Sequence, residues 1–208
     1  MESLTSVPSV GPGVGPWVGP WPDDARFDPA LLAEGDHRNV ADHFRYWSVE
    51  AIVAELDRSR VPLRIAIQNW EHDFNIGSVV RTANAFNVAG VHIIGRRRWN
   101  RRGAMVTDRY LHVQHHPDER DFLDHLRELA YEIVGVDNLS GSVPLETSQL
   151  PERCCLVFGS EGHGLTDELV AGCARLVAIR QDGSTRSMNA GAAAAIAMYA
   201  WRIANPTH

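Results

Sequence analysis

The chain has 208 residues, 44% apolar and 22% charged, and a formal net charge of −6. That length suits one well-cored domain with a tail, since single cores persist to about 250 residues. The composition excludes a fibrous or largely disordered chain. Cys154, Cys155 and Cys173 lack the spacing of a metal site and read as small buried residues. No apolar stretch is long enough to span a membrane, and the start lacks the basic and apolar regions of a secretory signal, which makes the cytoplasm the default location. The negative total argues against a nucleic-acid partner, but the distribution of charge overrides it. All 20 basic residues are arginines, and Arg96, Arg97, Arg98, Arg101 and Arg102 crowd around Trp99. Arginine forks grip phosphates and stack on bases.

Residues 1–22 repeat Gly, Pro, Val and Trp, a composition that supports neither a helix nor a laddered strand and predicts a flexible arm. Residues 23–60 read as a helical extension, with Ser48 as an N-cap and Ile52, Val53 and Leu56 on one apolar face. From residue 61 the pattern alternates. Strands are expected at 63–67, 91–94, 133–136, 155–158 and 176–179, and helices at 77–86, 119–131, from Thr166, and at 189–203. Such alternation implies an α/β fold with a mostly parallel sheet covered by helices on both faces, here over residues 61–208.

Three stretches place polar residues among glycines where strands hand over to helices. Asn75 and Arg81 flank Gly77 at the start of a helix; they suit either an N-cap with a solvated arginine or an anion or ribose site at a helix N-terminus. The run 159–164, Gly-Ser-Glu-Gly-His-Gly, lets a ligand approach the backbone, although Glu161 could equally cap the helix after it. It has neither dinucleotide-binding spacing nor a phosphate-loop lysine, so a nucleotide bound in those ways is not expected. Ser187-Met188-Asn189 opens a helix of very small residues, with Asn or Ser as a possible cap on a tightly packed helix.

Asn-x-Gly-x-x-x-Arg, Gly-x-Glu-x-x-Gly and Ser-x-Asn, in this order at these strand ends, resemble the three motifs of the SpoU (TrmH-like) branch of the SPOUT RNA methyltransferases. The resemblance covers roughly residues 63–205. It implies a C-terminal deep trefoil knot, an exception to the rule that chains stay unknotted. It also implies a homodimer that transfers the methyl group of S-adenosylmethionine to a ribose 2′-hydroxyl of tRNA or rRNA, leaving S-adenosylhomocysteine. By motif position, Asn75, Arg81, Glu161, Ser187 and Asn189 would surround the ribose. Val136, Phe158, Gly159, Ile179, Gln181 and Met188 would hold the cofactor, and no metal would be required. Ala190 and Gly191 depart from the valine and serine that commonly follow the third motif, which touches local packing only.

Arg96 to Arg102, with Arg109, is the expected RNA-phosphate contact, and Trp99 is available to stack on a base. A merely solvated basic loop is disfavoured because so many arginines in seven residues repel one another without an anion. Two other functions compete. An RNA-binding or assembly protein of the same fold would not need all five motif residues, and a base-directed methyltransferase is disfavoured by Ser-x-Asn and Arg81. His115 and His116 fall in no motif and read as strand-end histidines.

Overall fold

The computed structural model describes residues 13–70, 75–160, 162–185 and 187–206. They fall into two compact units, one ending at Arg58 and the other beginning at Ser59.

In the first unit, helices α1 (Pro29–Glu34) and α2 (Val49–Asp57) flank a short helical turn at Asp42–Phe44. Ser48 caps α2 as expected, its Oγ accepting from the Ala51 N–H at 3.1 Å. The centre is the fully buried Asp36. Its carboxylate accepts from the Arg38 side chain at 2.7 and 2.8 Å and from the Tyr46 N–H at 2.9 Å. Burial alone would raise its pKa, but these donors and the Arg38 N–H outweigh it and hold the group at about 2.

The flexible arm expected through residue 22 is corrected for residues 14–17. Val14 and Asp36 exchange two backbone hydrogen bonds of 2.9 Å, and Trp17 meets Phe27 and Tyr46 edge-on at 5.9 and 5.3 Å. Gly13 permits this approach, because a Cβ there would lie 2.6 Å from His37. Residues 1–12 lie outside those described.

The second unit holds a seven-stranded sheet. Its strands are β1 (Val61–Asn69), β2 (Val88–Gly95), β3 (Val113–His116), β4 (Glu132–Val136), β5 (Val143–Pro144), β6 (Cys154–Phe158) and β7 (Arg175–Ala178). The order is β3-β2-β1-β6-β4-β7-β5 and every neighbouring pair is parallel. Strands buried on both faces need apolar residues on both, and alternate residues of β1 and β6 divide accordingly. Leu63, Ile65, Ile67, Leu156 and Phe158 pack with α3 (Asn75–Ala85) and α6 (Ala190–Ala204). Ala66, Cys155 and Val157 pack with α4 (Glu119–Glu128) and α5 (Asp167–Gly172). Burial pushes the Cys154 and Cys173 thiols up to about 12 and about 11, so these cysteines are inert fillers.

Strand β3 was foreseen only through its strand-end histidines, without bounds, and β5 was not expected from the sequence. Val113-Gln-His-His carries no apolar alternation, and its last residue is buried by pairing polar groups. His116 Nδ1 lies 2.7 Å from the Asp121 carboxylate, His116 Nε2 lies 2.8 Å from His92 Nδ1, and His92 Nε2 faces Arg64 Nη1 at 3.2 Å. Because Arg64 can only donate, this chain assigns one proton to the Nδ1 of each ring and leaves both histidines neutral.

Candidate active site at the carboxyl ends of three strands

A cavity of about 490 Å³ opens where β4, β6 and β7 end. Its walls are the segments after those strands and the entry to α6, and it contains all six residues expected to hold a cofactor: Val136, Phe158, Gly159, Ile179, Gln181 and Met188. The glycine-rich run is needed for shape. After β6 the chain folds back so that the Gly164 N–H donates to the Ser160 carbonyl at 3.0 Å, and a Cβ on Gly159 would collide with the Gly164 backbone. Gly162 and Gly164 sit at φ +92° and +69°, where glycine is favoured. Asp137, at the end of β4, fixes the returning chain by accepting from the Leu165 N–H at 2.8 Å.

Ser187 and Asn189 line the same cavity. Asn189 does two things at once. Its Oδ1 caps α6 by accepting from the Ala192 N–H at 3.1 Å, and its Nδ2 donates to Asn75 Oδ1 at 2.7 Å. The first and third motifs therefore meet side chain to side chain. Gly191 serves the same crossing, since a Cβ there would sit 3.2 Å from Ser78 on α3. Arg81 does not line the cavity and its side chain is exposed. At 100° per residue it projects about 120° around α3 from Asn75 and about 9 Å along it. Glu161 lies outside the described residues.

The arginine loop follows β2. Arg96, Arg97, Arg98, Arg101, Arg102 and Arg109 are exposed. Its backbone is firmly held: Asn69, buried at the end of β1, donates to the Arg96 and Arg98 carbonyls at 2.6 and 2.9 Å. Gly103 lies against Gly77 of α3 so closely that a Cβ on Gly77 would be 2.7 Å from the Gly103 Cα. The first motif's glycine thus seats the arginine loop. Trp99 is half-buried against the core, and the Arg101 guanidinium lies 5.5 Å from its ring centroid. The ring is less available for base stacking than its sequence position implies. Sequence reasoning missed Asn69 and Asp137, which hold the loops rather than belong to a motif. The only signal for either was a polar residue closing an apolar strand.

A wholly parallel, doubly covered sheet with a glycine-shaped cavity at its carboxyl ends defines an α/β protein built to bind a small molecule there. The chain belongs to the SpoU rRNA Methylase family, whose sequence model matches residues 62–199. It is 29% identical over 179 residues to an uncharacterized tRNA/rRNA methyltransferase of Synechocystis, covering 81% of this chain and 46% of that protein. It is 24% identical over 147 residues to the tRNA (guanosine(18)-2'-O)-methyltransferase of Escherichia coli K12, covering 69% and 64%. Its fold matches the SpoU methyltransferase AviRb of Streptomyces viridochromogenes, solved in complex with AdoMet, with a TM-score of 0.63 at 21% identity over 74% and 65% of the two chains. The chain spans less than two thirds of the length of each of these three proteins.

Proposed function

We propose that this protein transfers the methyl group of S-adenosylmethionine to a ribose 2′-hydroxyl of tRNA or rRNA. The reading rests on one junction: Asn189, on the cavity wall, is hydrogen-bonded to Asn75 at 2.7 Å, so the first and third motifs meet beside the ligand-sized cavity that the second motif's glycines also line. Family membership and the tRNA 2'-O-methyltransferase among the relatives support it.

The cavity fits the cofactor. Its volume of about 490 Å³ lies in the ordinary range for such ligands, and apolar Val136, Phe158, Ile179 and Met188 stand beside polar loop backbone. When bound, S-adenosylmethionine supplies an already electrophilic methyl group, so the chain must align the ribose and help its hydroxyl lose a proton. Asn75, Ser187 and Asn189 position the ribose. Arg81 is too basic to accept the proton; exposed and further along α3 than Asn75, it grips the adjoining phosphate, with a phosphate oxygen or water as acceptor. The family resemblance adds Glu161 to this set of residues. The arginine loop holds the RNA backbone.

Further parts of the reading follow from the family resemblance. The C-terminal trefoil knot is among them; α6 packs back on the segment before β6, where Trp201 Nε1 donates to the Pro151 carbonyl at 2.9 Å. Exposed Ile196, Tyr199 and Ile203 on α6 support a homodimer. The first unit helps choose the RNA. Among the described residues no helix is long and apolar enough to cross a membrane, and a cytoplasmic location accords with three free cysteines.

Calorimetric titration with S-adenosylmethionine, then tritiated-methyl incorporation into total tRNA and rRNA with nucleoside analysis, tests the proposal. Heat of binding and a 2′-O-methylated nucleoside are expected. A methylated base would move the reaction off the ribose, and RNA binding without cofactor binding would leave only an RNA-binding protein.

A further inference from the structure

Residues 104–107 form a tight turn whose two central residues are both left-handed. Met105 is at φ +49°, ψ +40° and Val106 at φ +64°, ψ +10°. Thr107 closes the turn, its Oγ1 donating to the Ala104 carbonyl at 2.7 Å. This is the type I′ geometry, which Asn-Gly adopts freely and a β-branched residue resists. The two side chains are not compensated by burial, being 56% and 54% exposed.

Yet the turn is held tightly. Ala104 and Thr107 on either side are buried, Gly103 is pressed on Gly77 of α3, and Arg60 donates to the Tyr110 carbonyl at 2.9 Å. Exposed Arg101, Arg102 and Arg109 flank it in sequence. A strained apolar pair held up among arginines complements a polyanion that also offers flat apolar faces, which is an RNA with bases that can be unstacked. Apolar side chains inserted between bases open a stack at modest energetic cost.

We propose that Met105 and Val106 form a wedge that enters the base stack beside the target nucleotide and splays it, so that its ribose can reach the cavity while the arginines hold the flanking phosphates. The inference rests on the methyltransferase reading and adds two residues outside the three motifs.

Met105→Asn combined with Val106→Gly restores the pair natural to this turn and so tests the wedge in a folded protein. The probes are an RNA hairpin carrying 2-aminopurine in its loop, and total tRNA for methylation. Wild-type protein is expected to raise the 2-aminopurine fluorescence severalfold on binding. The variant is expected to melt about 2 to 4 °C higher because strain is removed. It should keep the salt dependence of hairpin binding, lose most of the fluorescence rise, and methylate total tRNA at least tenfold more slowly. Equal fluorescence and methylation in the two proteins would overturn the wedge and leave the methyltransferase reading standing. A change in the variant's sedimenting mass would also overturn it, by making the turn a contact between copies. If wild-type protein neither binds nor methylates RNA, both readings fall.

Discussion

Asn189 combines the α6 cap with a hydrogen bond to Asn75, and the two can be separated by substitution. Asn189→Ala removes both the α6 cap and the donor to Asn75. Losing an N-cap destabilises by about 1 kcal/mol, and releasing a positioning contact can slow turnover roughly 10²-fold. Asn189→Asp keeps a capping oxygen but removes the donated hydrogen. It is therefore expected to melt close to wild type while losing most of the methylation rate, read by thermal denaturation and tritiated-methyl incorporation. Equal rates for Asn189→Asp and wild type would detach the Asn75 contact from catalysis. Arg81→Lys is a second residue-scale test. It keeps the charge but loses the planar fork, so turnover is expected to fall by at least tenfold with little change in RNA affinity; near-normal turnover would refute a geometric role. The capping reading of Asn189 was legible in the sequence and the structure shows it, together with a hydrogen bond to Asn75 that the sequence did not display. Arg81 is different: its place in a motif was legible, but its projection away from Asn75 follows from helical phase, which a motif does not display.

At the scale of elements, the arginine loop and the histidine chain make opposite cases. Charge clustering revealed the loop directly. Replacing Arg97, Arg98 and Arg101 by serine is expected to weaken RNA binding and lower the slope of log affinity against log salt by up to about 0.7 per lost phosphate contact on single-stranded RNA. An unchanged slope, measured by fluorescence anisotropy across a salt series, would remove the loop from the RNA contact. What fixes the loop, Asn69 beneath it and Gly103 against Gly77, depends on β1 and α3 coming together and is not written in the loop itself. The histidine chain was hidden for a similar reason, since His92 and His116 become partners only because β2 and β3 pair in register. Burial, then repulsion from His116, Arg64 and His125, drives His92 down to about 2 from an ordinary value of 6.5, while Asp121 faces His116 from α4. The unfolded chain therefore takes up a proton below pH 6.5 that the folded chain refuses. Stability is full above that pH and declines as pH falls below it, by about 1.4 kcal/mol per pH unit for one such histidine. Calorimetry of His92→Leu is expected to show a lower melting temperature at neutral pH but a shallower decline between pH 6.5 and 5; an equally steep decline would place the acid sensitivity elsewhere.

For the whole molecule, alternating apolar segments announced a parallel α/β sheet, yet its order could not be read because β6 inserts between β1 and β4, partners remote in the chain. The same limit applies to α6, whose small residues promised close packing without saying against what. One side of this helix, Ala194, Ala197, Met198 and Trp201, is buried in the core. On the other, Ile196, Tyr199 and Ile203 are 42%, 60% and 64% exposed. Their spacing of three and four residues lines them up in a single stripe. Scattered apolar residues on a surface need no partner, whereas a stripe on one helix face is suited to one, and a second copy of the chain offers an identical stripe. Wild-type protein is accordingly expected to sediment as a dimer, and Ile196→Glu with Ile203→Glu as a monomer with an unchanged circular dichroism spectrum, because neither side chain is buried within one chain. A wild-type monomer at micromolar concentration would dismiss the pairing. A dimer that survives both glutamates would move it to another face.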